Sequence, residues 1–166
     1  VSESLFYENK GRVTLLGGGP RFFLPPEAGE RAQVMFHAPN AMPLRRELAR
    51  TGEANVYRVD VPIKPGETRL DLTYEIPFTA PGKFSSRFVE RASAVRLAVP
   101  QGVTVKGEGL EPLGEEPSSR AALFNVTGAR LEVEIEGAGA LRAADAGAEE
   151  EQGPGVQQIL PRIYGR

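Results

Sequence analysis

The sequence predicts an all-β protein: a two-layer antiparallel β-sandwich, immunoglobulin-like or related, followed by a C-terminal Gly/Ala/Glu-rich tail. Three observations predict it. Two runs, Tyr57-Arg58-Val59-Asp60-Val61-Pro62-Ile63 and Thr68-Arg69-Leu70-Asp71-Leu72-Thr73-Tyr74-Glu75-Ile76, alternate apolar and polar residues about Lys64-Pro65-Gly66-Glu67, the pattern of a half-buried hairpin. Glycine (19 residues) and proline (14) fill about a fifth of the 166-residue chain, against a usual share of about 12%, which suits many turns and disfavours long helices. Short apolar stretches recur between turn signals through residues 1–136, the spacing of a sandwich.

Taken in order, Leu5, Phe6 and Tyr7 mark a first strand within 1–8, and 12–16 reads as a second. Gly17-Gly18-Gly19-Pro20 breaks it; a phosphate-binding loop would need Gly-Lys-Ser/Thr and a helix there, whereas Arg21-Phe22-Phe23 is strand-like. Residues 21–24 form a strand that Pro25-Pro26 stops. In 31–37, Ala32, Val34 and Phe36 share one face. Residues 38–55 read as loop, with one turn of helix expected over 44–50. The hairpin occupies 55–77, and its four-residue turn sets a register. Tyr57 is expected opposite Tyr74, Val59 opposite Leu72, Val61 opposite Leu70, and Asp60 across from Asp71 on the wet face. Further strands are expected at Phe84 to Phe88, 93–99, 103–106, 122–127 and 130–136. In the last of these Leu131, Val133 and Ile135 point in while Glu132, Glu134 and Glu136 point out. Residues 110–119 read as polar loop.

The domain organisation expected is one sandwich over 1–136, a linker over 137–155 and an amphipathic segment over 156–166. Ala, Gly and Glu dominate the linker, a composition that orders only when something holds it. The tail from 137 to 166 is therefore expected to pack on its own sandwich, on a second copy or on a protein partner. In the final segment Pro161 suits the first turn of a helix that continues past Arg166. The chain opens on Val1, as a processed product or an excised fragment would, which leaves room for a leader or an anchor in a longer product.

Composition removes several classes of function. A net charge of −2 gives no general pull toward nucleic acid or toward anionic lipid. With no cysteine there is no disulfide, thiolate metal site or thiol nucleophile. No stretch reaches the length of a membrane span.

Candidate chemistry is sparse. Asp60 and Asp71, if cross-strand neighbours, would repel unless a cation lay between them, and Ca²⁺ takes such hard oxygens. Two carboxylates fall short of the roughly six to eight oxygens Ca²⁺ prefers, so Arg58 and Arg69 on the diagonals are the expected compensation. His37, the only histidine, would need a positioned partner for acid–base work. Asn125-Val126-Thr127 matches a glycosylation sequon but falls inside an expected strand. Arg45, Arg46 and Arg50 form a basic cluster without the aromatics of a nucleic-acid site. No serine sits in Gly-x-Ser-x-Gly. An enzyme is thus the least expected class, and no cofactor is called for.

Three stretches carry a resemblance: Val59-Asp60-Val61-Pro62-Ile63-Lys64-Pro65-Gly66-Glu67-Thr68-Arg69-Leu70-Asp71-Leu72-Thr73-Tyr74, Ala94-Val95-Arg96-Leu97-Ala98-Val99-Pro100-Gln101-Gly102-Val103, and Gln157-Gln158-Ile159-Leu160-Pro161-Arg162-Ile163-Tyr164. Together they resemble bacterial envelope proteins common in Acidobacteria. In these a carboxypeptidase-regulatory-like β domain comes first, a β domain like this one follows, and a transmembrane helix begins soon after. The resemblance implies a periplasmic or extracytoplasmic place near a membrane. The role expected is a non-catalytic one, as structural spacer, assembly subunit or protein-binding platform. It carries no functional residue onto this chain, which lacks both the leading domain and the helix. The alternatives are an accessory subunit of a larger membrane-associated complex and a carbohydrate-binding sandwich. The latter is weakened by the absence of Trp and by the small number of exposed aromatic positions that alternation allows.

Overall fold

A computed structural model describes residues 1–28 and 31–140 of the chain. The amphipathic segment 156–166 and the linker beyond 140 lie outside the described residues, as does the packing expected of them. Among the described residues the protein is all-β, with thirteen strands in antiparallel sheets and no α-helix.

The first sheet is built from β1 (Ser2–Asn9), β3 (Gln33–His37), β4 (Leu44–Arg46) and β7 (Gly66–Thr73), in the order β1-β7-β3-β4. A smaller sheet of β2 (Arg21–Phe23), β5 (Ala49–Arg50) and β6 (Val56–Arg58) runs in the order β2-β6-β5. Both feed one buried cluster. Val34, Phe36, Leu70, Leu72 and Tyr74 come from the first sheet and its continuation, and Phe22, Leu24, Val59 and Val61 from the second and its flanks. This is sandwich-like packing, and each fully buried aliphatic side chain stabilises it by about 1.5–3 kcal/mol.

The C-terminal strands repeat the arrangement on a smaller scale. β8 (Gly82–Arg87), β10 (Val103–Lys106) and β13 (Arg130–Gly137) form a sheet in the order β10-β13-β8. β9 (Arg96–Val99), β11 (Leu110–Glu115) and β12 (Ala122–Val126) form another, in the order β11-β12-β9. Their buried cluster is separate and small: Val126, Leu131 and Val133, with Phe84, Leu97 and Ile135 packed against it. The outward Glu132 and Glu134 alternate with these side chains as the sequence predicts. β13 runs through Gly137, one residue into the stretch read as linker.

Several expectations are corrected. The first is the hairpin. β6 pairs with β2 and β5, whereas β7 pairs with β1 and β3. The two alternating runs do send Val59, Val61, Leu70, Leu72 and Tyr74 into the same core, but from opposing sides of it. Pro62, which has no amide proton to give a ladder, lies in the segment that leaves the second sheet after Arg58 and crosses to the first. The second is 44–50, where β4 and β5 stand in place of a turn of helix. The third is 110–119, which contains β11. That strand lies at a sheet edge, its register shifts between Pro112 and Gly114, and nearly all of it is exposed. Proline, bulges and charge are the usual devices of an edge strand, and they erase the alternation by which a strand is recognised. Within 12–16 only Leu15 pairs, bridging to Ile63.

Candidate functional site

A densely connected polar group lies on the outer face of the first sheet. Asp71 in β7 faces Ser4 of β1 on one side and Met35 of β3 on the other, not Asp60. Ser4 Oγ donates to Asp71 Oδ1 at 2.7 Å. Arg69 Nε lies 2.9 Å from each carboxylate oxygen, and its Nη2 donates to Oδ2 at 2.6 Å. His37 Nε2 sits 2.9 Å from Oδ2 without hydrogen-bond geometry. Strand alternation explains the cluster: Arg69 and Asp71 share a face of β7, and the register places His37 opposite Arg69. Arg69 also lies over the ring of Phe6, its partner on β1, at 6.0 Å.

Partial burial of Asp71 works against its charge. The hydrogen bonds from Arg69 and Ser4 and the charge of Arg69 outweigh this and hold the carboxyl below the ordinary aspartate range. An acid whose folded pKa is depressed stabilises the fold above its unfolded pKa, about 3.9, and that contribution is lost as pH falls through the folded value. Asp71→Asn is therefore expected to lose less stability than the parent protein between pH 5 and pH 2, by about 1 kcal/mol. Urea midpoints across that range check it; parallel curves would remove Asp71 from the acid response.

This geometry also bears on the calcium reading. Both Asp71 oxygens already accept bonds from within the sheet, and Asp60 lies in the crossing segment beside Arg45 and Arg46, where it lines a shallow recess. Asp60 and Asp71 are therefore not brought together as register neighbours. Among the described residues no three His, Cys, Asp or Glu side chains cluster as metal ligands would. His37 meets the Asp71 carboxylate. Asn125 of the sequon lies in β12, where its Nδ2 donates to Glu111 Oε2 at 3.0 Å.

A second group of residues joins the two halves. Arg87, which ends β8, pairs with Glu53 at 2.6 Å and lies over the Phe23 ring at 5.3 Å. Glu90 Oε1 accepts the Arg21 amide at 2.8 Å. Glu90 also bonds the phenol of Tyr7, whose pKa rises through burial first and then through this carboxylate. Phe22 and Tyr57 are partners that face the first core, so their neighbours Phe23 and Val56 point away from it, and Phe23 meets Arg87 there. Val56 is nevertheless buried. Beside this contact a recess of about 190 Å³ is lined by Phe23, Pro25, Phe78 and Phe84. Sequence reasoning missed Arg87, Glu53 and Glu90. They meet across long separations, and a lone surface Arg or Glu has no local pattern that announces a distant partner.

Comparison with family models, with curated proteins and with solved structures returns no match to this chain.

Proposed function

We propose that this chain is a non-catalytic module of the bacterial cell envelope that works as a spacer or a protein-binding platform. The observation that carries this reading is the pair of separate hydrophobic clusters fastened together by Arg87 and Glu90. Two small β units tied side to side hold a fixed separation between whatever is attached at either end, which is what a spacer supplies. Each half also presents sheet faces whose backbone is already paired, so a partner would meet a preformed surface. The location rests on the resemblance of residues 59–74, 94–103 and 157–164 to envelope proteins.

Location and stiffness are tested separately. The chain has no cysteine, so Ser93→Cys, at an exposed loop position, offers one thiol. Labelling by a membrane-impermeant maleimide in intact cells is expected; labelling only after lysis sinks the envelope location. For stiffness, Arg87→Ala with Glu90→Ala is expected to widen the solution-scattering profile. The exposed Arg87–Glu53 pair itself contributes only about 0.2–1 kcal/mol, so melting of each half should change little. An unchanged profile would mean that these residues do not set the separation.

A further inference from the structure

One end of the first unit carries large apolar side chains that the fold leaves uncovered. Val13 is 69% exposed, Leu15 55%, Leu16 80% and Met42 82%. They belong to segments that meet at the same end of the sandwich. Leu15 and Ile63 exchange backbone hydrogen bonds at 2.9 and 3.1 Å. The side chain of buried Asn9 donates to the carbonyls of both Val13 and Ile63, at 2.9 and 3.0 Å. Gly66, the register partner of Asn9, packs against Pro39 of the loop that carries Met42. The apolar side chains therefore stand on a braced backbone, not on a loose one. A monomer gains nothing from holding Leu16 in water, so a braced apolar tip calls for an occupant.

The charge of these loops says which. Lys10, Arg12 and Lys64 lie among them, and segments 10–20 and 38–43 contain no carboxylate. Arg12 and Lys64 make no ion pair among the described residues, while Lys10 is 3.3 Å from Glu8 at the strand end. Asp60, the acid of segment 59–65, lines the recess beside Arg45 and Arg46, and Glu67 lies within β7 as the register partner of Glu8. A second copy of the chain would bring the same cations and be repelled. Apolar side chains on loops that also carry unpaired cations instead match an anionic bilayer, whose headgroups attract Lys and Arg while the acyl boundary accepts Val, Leu and Met.

We propose that this end docks on an anionic lipid surface, with Val13, Leu15, Leu16 and Met42 entering the interface and Lys10, Arg12 and Lys64 at headgroup level. This surface is distinct from the spacer reading and does not depend on it. The envelope location could hold with vesicle binding absent, and the reverse.

The absence of Trp makes the test direct. Leu16→Trp in the full 166-residue chain places a single indole at the tip, and Val13→Trp repeats the measurement should the first variant lose its β circular dichroism. Emission is expected to shift to the blue on adding vesicles of phosphatidylcholine mixed with phosphatidylglycerol, and not with phosphatidylcholine alone. Arg12→Glu in the Trp background is expected to weaken partitioning by about tenfold. Emission that ignores both kinds of vesicle overturns the proposal. So does a shift that depends on protein concentration without vesicles, which would assign the tip to self-association. An equal response to both lipids would overturn the role given to the cations.

Discussion

Replacing Leu72 with alanine is expected to lower the unfolding free energy of the first unit by about 2–5 kcal/mol. Leu72 is fully buried in the cluster that both N-terminal sheets share, next to Val34 on β3 and Glu3 on β1. Its loss removes transfer free energy and leaves a cavity that two paired neighbours hold open. The informative part is where the damage stops. The C-terminal unit has its own cluster, with Val126, Leu131 and Val133 buried. Amide exchange should therefore quicken across β1, β3 and β7 while β8, β12 and β13 keep the protection they had. Val133→Ala should act the other way round, at about 0.5–3 kcal/mol. The smaller cluster buries fewer side chains, so the C-terminal unit is expected to open first on heating. Exchange that quickens equally in both halves of the Leu72→Ala protein would mean one cooperative core, and would leave the junction at Arg87 without a separate part to hold.

The same contrast between faces and partners explains what was readable from the sequence. Period-two alternation reports which side of a strand is dry, and it did so for Val59, Val61, Leu70 and Leu72, all buried. It carries no information about which strand lies alongside. A run such as Val59 to Ile63 looks the same whether it pairs with its successor or faces it across the core. Here a proline in the run and the crossing after Arg58 decide for the second. Asp60 and Asp71 follow from this directly: once the hairpin register goes, their proximity goes with it. The strand Leu44–Arg46 was hidden for a different reason. It is an exposed edge with two arginines, and edges are kept polar to discourage pairing with other chains. Arg46 still finds a role, lying 5.8 Å from the centre of the Phe36 ring on the neighbouring strand.

Tyr74 and Glu3 show how burial sets the cost of a polar contact. The Tyr74 hydroxyl donates to Glu3 Oε1 at 2.6 Å from a ring that is 2% exposed. Burial raises the Glu3 pKa, and the bond from Tyr74 only partly opposes it. An acid whose pKa is higher folded than unfolded costs stability once it ionises, from the unfolded value upward. Glu3→Gln keeps an acceptor for the hydroxyl and removes the charge. Stability at pH 7 is then expected to hold or rise, by up to about 1 kcal/mol, and a fall in the urea midpoint at that pH would contradict this.

Gly19→Ala is expected to be the most damaging change outside the cores, and its neighbours supply the control. Gly17, Gly18 and Gly19 all have positive φ, at 103°, 76° and 56°. An alanine at any of them bears the left-handed cost of about 1–2 kcal/mol. At Gly17 and Gly18 the space beyond is open, so that cost should be all that is measured. At Gly19 a Cβ would run into the Val59 carbonyl. The loop cannot simply back away, because the Val59 amide donates to the Pro20 carbonyl at 3.1 Å and so fastens the two segments. Relief must come from moving Val59, which is buried in the first core. That adds an overpacking cost of about 1–3 kcal/mol. Urea midpoints should place Gly19→Ala well below Gly18→Ala, with faster exchange at the Val59 amide in Gly19→Ala alone. Equal losses in the two variants would show that the contact with Val59 relaxes freely, and that the segment holding Val13, Leu15 and Leu16 is anchored by Asn9 and the Leu15–Ile63 bridge without help from this end.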